Sequence, residues 1–511
     1  MHNFKTKAHS LVEAIYNHSV ENPNHKAVAD SLLILTYKDF WDRIYDCAKK
    51  LRQIGLIKNQ RVFVEAHPQV EYIVTYFAIQ LLHCTAIPYS CKLSKDTIAH
   101  MANVSDAKFS ISKKGTVLPI TNILYEDIRK EIPSEEALDY SFPETDFLTD
   151  IFFTSGTTGK SKGVGLTTLS ILGGAVNTIN GCQKQQTDIE LVTPPLYHSQ
   201  AFSTIRALFV VGGCVVLNNT YFTIETLQNL LNKYHCNCLN IVPATLKLLV
   251  NDLGDNIKCV LKNLRYIEIG AAPLDKRTKI FLLNALPNTR LALNYGATEA
   301  SRTVYNNLTS IDGPLDALGK IVENVECKII DEDGKDLTKN GKPGRLIFKG
   351  DMVMKGYVKN NAETDKVLKN GWYYSSDLAY LSKLDGCVYI LGRVDDVINI
   401  GGEKICPAEI EQSILTIPQI DNCCCVGVED FMGILGQIPV VFYSSKSDIS
   451  VVKLKQSLKD SLDRVKRPKI FIRLEKIPTN SILKNDRNAL KRLWKNEFES
   501  KYRDHYLLNL N

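Results

Sequence analysis

The chain has 511 residues, 44% of them hydrophobic and 23% charged, which is the balance of a soluble globular protein too long for a single core. Its formal net charge of +6 is small for that length and gives no ground for a nucleic-acid binder or a membrane-surface protein. The longest apolar run, Ala207–Leu217, contains two glycines and falls short of the roughly 20 residues that cross a bilayer, so no membrane span is expected.

In chain order, apolar Leu11, Val12, Ile15 and Tyr16 recur at helical spacing until Pro23 ends the pattern. A strand follows at Arg61–Glu65, a buried helix at Val70–Leu82, a short strand at Ala86–Pro88 and a helix at Ser94–Ala102. After a Gly-rich stretch the alternation resumes. Helices are expected near Thr168–Asn177, Phe202–Val210 and Thr223–Tyr234, with strands at Ile189–Thr193, Cys214–Leu217 and Cys238–Val242. Such alternation implies largely parallel sheet with helices on its faces. Beyond Ser310, short β segments beside turn signals at Asp333-Gly334, Pro343-Gly344 and Asp385-Gly386 suggest a small β subdomain. From Asp395 onward helices and strands mix again over Pro407–Leu415, Asp421–Val428, Val440–Tyr443 and Val451–Leu462. The expected fold is therefore α/β: a large N-terminal domain, residues 1–394, and a small α+β C-terminal domain, residues 395–511.

None of the 14 cysteines forms a C-x-x-C pair, and Cys423-Cys-Cys425 has the wrong spacing for a zinc site, so buried reduced thiols are expected. Met1–Ser10 is polar and unlike a signal peptide, which points to a cytoplasmic location.

In Asp150–Val164 an apolar strand runs into hydroxyls, glycines and lysines. Gly156, Gly159 and Gly163 allow close approach of backbone N–H groups to an anion. Thr154, Ser155, Thr157 and Thr158 add rotatable donors, and Lys160 and Lys162 add charge. This suits a phosphate cradle, although polar surface loops share the composition. A Walker A loop would need glycine at Thr154, and a dinucleotide fingerprint would need it at Thr168.

Other segments carry chemistry of their own. A carboxylate such as Asp377, after an aromatic strand, can accept both ribose hydroxyls, and Arg393 can donate to ribose or phosphate; a cap and a surface ion pair are the respective alternatives. Tyr295 offers a flat face to an adenine ring, or serves as a core tyrosine. Thr298 and Glu299 are an oxygen pair suited to magnesium, unless Glu299 is a helix-start carboxylate.

Taken in order, Thr154–Val164, Gly270-Ala271-Ala272-Pro273, Asn294-Tyr295-Gly296-Ala-Thr298-Glu299, Gly371–Asp377, Leu391–Asp396 with Gly401-Gly402-Glu403-Lys404, and Pro478–Lys484 resemble the adenylate-forming superfamily of acyl-CoA synthetases, luciferases and adenylation domains. The resemblance implies ATP-dependent conversion of a carboxylic acid to acyl-AMP with pyrophosphate release, then transfer to the thiol of coenzyme A. A carrier-protein phosphopantetheine is the alternative acceptor, and a non-catalytic nucleotide-binding relative a third reading. It also implies phosphate binding by Thr154–Gly159 and Lys162, and nucleotide contacts from Gly270–Pro273, Asn294–Gly296, Asp377 and Arg393. Glu299 would hold Mg²⁺ with Thr298 beside it, and Lys484 would stabilise charge on the α-phosphate. By the same resemblance a hinge at Asp395 moves the C-terminal domain to bring Gly401–Glu403 into use for the thiol. The usual Thr-Gly before the lysine is Ile482-Leu483 here. His198 matches a position bordering the acyl pocket, and Phe202 is expected to line it. Ala201-Phe-Ser203 lacks the Phe-Asp of amino-acid-activating relatives, so an aryl or fatty acid is expected rather than an α-amino acid. The partners expected are that acid and the thiol, in a monomer or homodimer that binds no nucleic acid.

Overall fold

The computed structural model describes residues 4–114, 120–129, 137–154, 161–218, 222–400, 403–430, 436–445, 447–459, 462, 467–479 and 485–508. The chain divides into two units, one of residues 1–327, 347–374 and 385–388, the other of residues 328–346, 375–384 and 389–511.

Two large sheets form the first unit. One has nine strands in the order Lys320–Ile321, Ala300–Leu308, Arg290–Ala297, Tyr266–Ile269, Cys238–Ile241, Ile189–Val192, Cys214–Leu217, Lys26–Ala29 and Ile34–Thr36. Its middle strands, from Arg290–Ala297 to Lys26–Ala29, are parallel and its margins antiparallel. The other has seven strands, ordered Gly356–Tyr357, Lys162–Thr167, Leu148–Thr154, Thr85–Tyr89, Arg61–Glu65, Phe109–Ser112 and Thr121–Leu124. Strands such as Thr85–Tyr89 are buried throughout, as a parallel sheet covered on both faces requires. The helix Val70–Leu81 is buried all round and belongs to a core shared with the helices Leu11–Glu21 and Ser199–Val211.

The helix Tyr37–Gln53 stands where the chain-order reading assigns no element, yet its signals are strong. Tyr37, Phe40, Trp41, Ile44, Cys47, Ala48 and Leu51 form one buried stripe, and Thr36 with Asp39 makes a capping box. The helix Ser199–Val211 begins a turn earlier than Phe202, and Val451–Ser457 stops short of Leu462. A third sheet, ordered Glu326–Ile330, Gly344–Lys349, Trp372–Leu381 and Leu368–Lys369, with Val388–Arg393 paired to Trp372–Leu381, is the β-rich element expected after Ser310.

In the second unit, antiparallel Ile420–Glu429 and Gln437–Ser445 and parallel Ile470–Arg473 form a three-stranded sheet. Period-two alternation covers both faces. Cys423 and Cys425 join a core with Ile410, Ile414 and Leu454, whereas Cys424 and Val426 pack with Leu490 and Trp494. The cysteine triplet thus supplies small apolar side chains to opposite faces; all three thiols are free and burial pushes their pKa values up. No described helix is long and apolar enough to cross a membrane.

Candidate active site

In the nine-stranded sheet, the segments flagged by sequence lie at the carboxyl ends of parallel strands. His198 follows Ile189–Val192, Gly270 follows Tyr266–Ile269, and Asn294–Gly296 ends Arg290–Ala297. Side-chain and backbone donors converge at such strand ends, which makes them the usual ligand crevice of α/β sheets.

The Gly-rich segment joins antiparallel strands Leu148–Thr154 and Lys162–Thr167, with Thr154 opposite Lys162. A hairpin connection of this kind differs from the strand–loop–helix of a P-loop, in keeping with the spacing argument. Ser155, Gly156, Thr157, Thr158 and Gly159 lie outside the described residues. Lys162 Nζ sits 2.5 Å from Glu363 Oε2 and 5.1 Å from the centre of the Tyr357 ring. Glu363, on the helix Asn361–Val367, also meets Lys366 at 2.5 Å. Hydrogen bonds from Lys162 and Lys366 hold its carboxyl down at about 2. Neither Glu363 nor Tyr357 is singled out by the sequence motifs; Tyr357 is brought in by the pairing of Gly356–Tyr357 with Gly165 and Val164.

Tyr357 connects this lysine to the carboxylate proposed for magnesium. Its hydroxyl donates to Glu299 Oε1 at 2.8 Å, and burial together with Glu299 pushes the phenol pKa up, keeping the proton in place. Thr298 and Glu299 occupy the turn between Arg290–Ala297 and Ala300–Leu308, a hairpin tip and not the start of a helix. The Glu299 carbonyl accepts from the Met354 N–H at 2.8 Å, and Thr298 Oγ1 lies 3.0 Å from Ser199 Oγ. Among the described residues no group of three or more His, Cys, Asp or Glu side chains gathers as a metal cage. A single carboxylate, Glu299, beside the Thr298 hydroxyl fits Mg²⁺, which takes few protein ligands and shares the rest with phosphate and water.

Tyr295 is half-buried, its ring centre 6.1 Å from that of Phe348. A β-carbon at Gly296 would collide with the backbone nitrogen of Arg302, across an irregularity in strand register. At Gly270 a β-carbon would collide with Asn294 Oδ1 and Gln200 Nε2. Ala271 holds φ at +73°, an uncommon conformation for a residue with a side chain.

His198 stands at the N-terminal boundary of the helix Ser199–Val211 without a side-chain cap bond, the Tyr197 ring 4.2 Å away. Burial lowers its pKa to about 4, so the imidazole is neutral at physiological pH. Phe202, expected in the acyl pocket, is instead fully buried between the rings of Tyr76, 4.4 Å away, Phe152 at 5.8 Å and Tyr72 at 6.0 Å. It packs the core. The helix position that reaches the Gly270 segment is Gln200.

Behind Gly270 lies a buried polar network whose charged members, Lys184, Glu190, Glu268 and Arg302, stand outside the motifs. Glu268 Oε1 lies 3.1 Å from Arg302 Nη2 and accepts from Asn294 Nδ2 at 3.2 Å; Oε2 accepts from Thr204 Oγ1 at 2.9 Å and Lys184 Nζ at 3.1 Å. Lys184 Nζ also donates to Glu190 Oε2 at 2.5 Å and to the Tyr266 hydroxyl at 2.8 Å. Arg302, held at φ +59°, donates to Asn294 Oδ1, to Gln200 Oε1 at 2.9 Å and to the Gln200 carbonyl at 2.8 Å. Burial pushes Glu190 up to about 7, whereas Lys184 and Arg302 overcome burial to hold Glu268 below the usual carboxylate range. The available signal is a charged residue inside otherwise apolar parallel strands, Glu190 in Ile189–Val192 and Glu268 in Tyr266–Ile269.

Asp377, Arg393 and Asp395 belong to the second unit. Asp377 lies within the strand Trp372–Leu381, not after it, and its N–H donates to Ser375 Oγ at 3.1 Å. Buried Ser375 donates in turn to the Leu346 carbonyl at 2.7 Å. Arg393 Nη2 stands 3.8 Å from Asp395 Oδ2, an exposed pair. Glu403 opens the strand Glu403–Ile405; Gly401, Gly402 and Lys484 lie outside the described residues.

Residues 16–358 match the model of the AMP-binding enzyme family. The chain belongs to that family. Residues 409–484 match the AMP-binding enzyme C-terminal domain, so both conserved parts of an adenylate-forming enzyme are present and the resemblance carried by the motifs is borne out. The chain is 27% identical over 473 residues to 2-succinylbenzoate–CoA ligase of Staphylococcus epidermidis, covering 92% of this chain and 95% of that protein. It is 25% identical over 495 residues to 4-coumarate–CoA ligase 1 of Arabidopsis thaliana, covering 89% and 88% respectively. Its fold matches o-succinylbenzoate CoA synthetase of Bacillus subtilis in complex with an acyl-adenylate, with TM-score 0.83, 24% identity and coverage of 94% of this chain and 97% of that one. It likewise matches ATP-bound MatB of Rhodopseudomonas palustris, with TM-score 0.85, 21% identity and coverage of 95% and 99%. The α/β fold with its separate C-terminal portion is thus established.

Proposed function

We propose that this AMP-binding enzyme is an AMP-forming acid:thiol ligase, which joins a carboxylic acid to AMP with release of pyrophosphate and then transfers the acyl group to coenzyme A. The observation that carries the reading is the contact series Lys162–Tyr357–Glu299, with Thr298 next to Glu299 and Ser199 beside Thr298. It joins Lys162, at the edge of the phosphate loop, to Ser199 at the start of the helix that follows His198, so that the residues proposed for the triphosphate and for the acid adjoin.

A carboxylate is a poor electrophile and an acyl phosphate anhydride a good one, which is why the reaction passes through acyl-AMP. In the first step the acid's oxygen attacks the α-phosphorus, and the bond to the pyrophosphate oxygen breaks. Thr154–Gly159 and Lys162 bind the phosphates that depart; Gly270–Pro273 and Asn294–Gly296 hold the base, and Asp377 and Arg393 the ribose. Glu299, with Thr298 beside it, would hold magnesium, which when bound neutralises phosphate charge. Lys484 stabilises the negative charge that gathers on the phosphoryl oxygens. His198, whose imidazole burial keeps neutral, borders the acyl side and gates the channel between the acyl and thiol sites. In the second step the thiolate attacks the acyl carbon and AMP departs with its electron pair. Residues 395–511 act as a lid hinged at Asp395, with Gly401–Glu403 serving the thiol half-reaction. A cytoplasmic location accords with this chemistry, which draws on ATP and CoA.

Pyrophosphate release measured over a broad panel of aryl, fatty and hydroxylated acids, with and without CoA, tests the reading. Release that depends on an acid, with thioester formed when CoA is present, is expected. No acid-dependent release from any member would refute it, and thioester on a holo-carrier protein but not on CoA would reassign the acceptor.

A further inference from the structure

The start of the helix Ser199–Val211, on the acid's side in the reading above, is polar where an aryl- or fatty-acid pocket would be apolar. Gln200 and Asn294 lie over Gly270, where its side chain would be, and Arg302 bonds to both. These side chains occupy the space between the first turn of the helix Ser199–Val211 and the Gly270 segment. Opening that space to a ring or long chain would displace Arg302 from Glu268, breaking a buried ion pair whose side chains are 3% and 0% exposed. Ser199, Ser203 and Arg206 border a cavity of about 10 Å³, room for roughly one water.

The hydrogen bonds in this cluster are unbalanced. Arginine has donors only, so the Gln200 atom that accepts from Arg302 must be its oxygen, and Nε2 is thereby directed elsewhere. That Nε2 is buried and has no partner among the described residues, and the same holds for Arg302 Nε. Both oxygens of Glu268 and the side-chain oxygen of Asn294 are already engaged. A buried donor left unpaired is unfavourable, so an acceptor within reach of Gln200 Nε2 would stabilise the cluster. The missing partner is an acceptor.

We infer that Gln200, held in place by Arg302, forms the specificity wall of the acyl pocket, and that the acid is short and carries a second oxygen, a hydroxyl or carbonyl, that accepts from Gln200 Nε2. The inference rests on the acid-activating reading above, and it narrows the aryl-or-fatty expectation to oxygenated short acids. Arg302 positions Gln200 through bonds to its side-chain oxygen and its carbonyl, and Gln200 touches the substrate.

The test compares matched acids by pyrophosphate release: propionate against lactate and 3-hydroxypropionate, butyrate against 3-hydroxybutyrate, with benzoate, 4-coumarate and decanoate as bulky controls. At least one hydroxylated acid should exceed its apolar partner in kcat/KM by about tenfold or more, since a site built to bond an oxygen rejects the analogue lacking it. Gln200→Leu should shift that ratio toward the apolar acid by about tenfold, through loss with the hydroxy acid, while the KM for ATP holds. Superior turnover of benzoate, 4-coumarate or decanoate overturns the inference, as does a Gln200→Leu variant that is folded by circular dichroism and loses activity equally with both members of a pair. Release with no acid at all overturns the ligase reading instead, so the two failures are distinct.

Discussion

Replacing Lys184 by methionine removes the cation at the centre of the buried network and keeps much of its volume. Lys184 is fully buried and touches Glu190 at 2.5 Å, the Tyr266 hydroxyl at 2.8 Å and Glu268 at 3.1 Å, so the variant strands two carboxylates that are themselves inaccessible. Removal of one partner of a buried pair is destabilising by about 3–5 kcal/mol. With unfolding entropy near 2.1 cal/mol/K per residue, ~4 kcal/mol corresponds to a fall of about 5 °C for a cooperative unit of roughly 350 residues. The loss should grow with pH. Glu190, already raised to about 7, holds its proton in the folded chain after the unfolded carboxyl has lost its own near 4.5, so its contribution falls as pH rises from 4.5 through 7. Without Lys184 the proton is held more tightly and the window extends upward. Thermal melts of both proteins at pH 5.5 and pH 8 check this. A change in Tm below 1 °C at both pH values, or a larger loss at the lower pH, would refute the charge assignment.

Three further outcomes follow from the site. Tyr357→Phe removes the 2.8 Å hydrogen bond to Glu299 and should raise the KM for MgATP by about tenfold, the effect of one bond to a charged group; an unchanged KM and kcat would detach Tyr357 from nucleotide binding. Ala271→Gly relieves an alanine held at φ +73° and should move the urea midpoint upward by about 0.5–1 kcal/mol equivalent, the left-handed penalty less the added freedom of the unfolded chain; a lower midpoint contradicts the strain. His198, lowered to about 4, stays neutral when the unfolded imidazole takes up a proton near 6.5, so its contribution to stability is present above 6.5 and lost as pH falls toward 4. His198→Asn should therefore flatten the acid side of the stability profile and leave the adenylation profile between pH 6 and 8 without a missing limb; loss of an inflection near 6.5 would assign His198 a proton-transfer function.

The segments that carry nucleotide chemistry are legible in the chain because each is contiguous. Thr154–Val164 and Asn294–Glu299 each carry their donors and acceptors within one short run of sequence, and local composition reveals them. Parallel sheet is legible for a similar reason, since fully buried strands such as Thr85–Tyr89 read as short apolar runs between turns. The acyl wall is not. Gln200 and Arg302 are 102 residues apart and meet only because the helix and the strand that carry them pack together, and Glu363 reaches Lys162 across 201 residues. Phe202 illustrates the limit: an aromatic residue near His198 suits a pocket as well as a core, and only the helix's rotation about its axis turns it toward Tyr76 and Phe152.

The most direct measurement is the product balance of a single reaction with ATP, magnesium, CoA and the best acid from the panel, quenched and resolved by mass spectrometry. AMP, pyrophosphate and acyl-CoA in equal amounts, with acyl-AMP accumulating when CoA is withheld, are the expected products. ADP with inorganic phosphate, or AMP formed at the same rate without any acid, would contradict acid activation through an adenylate.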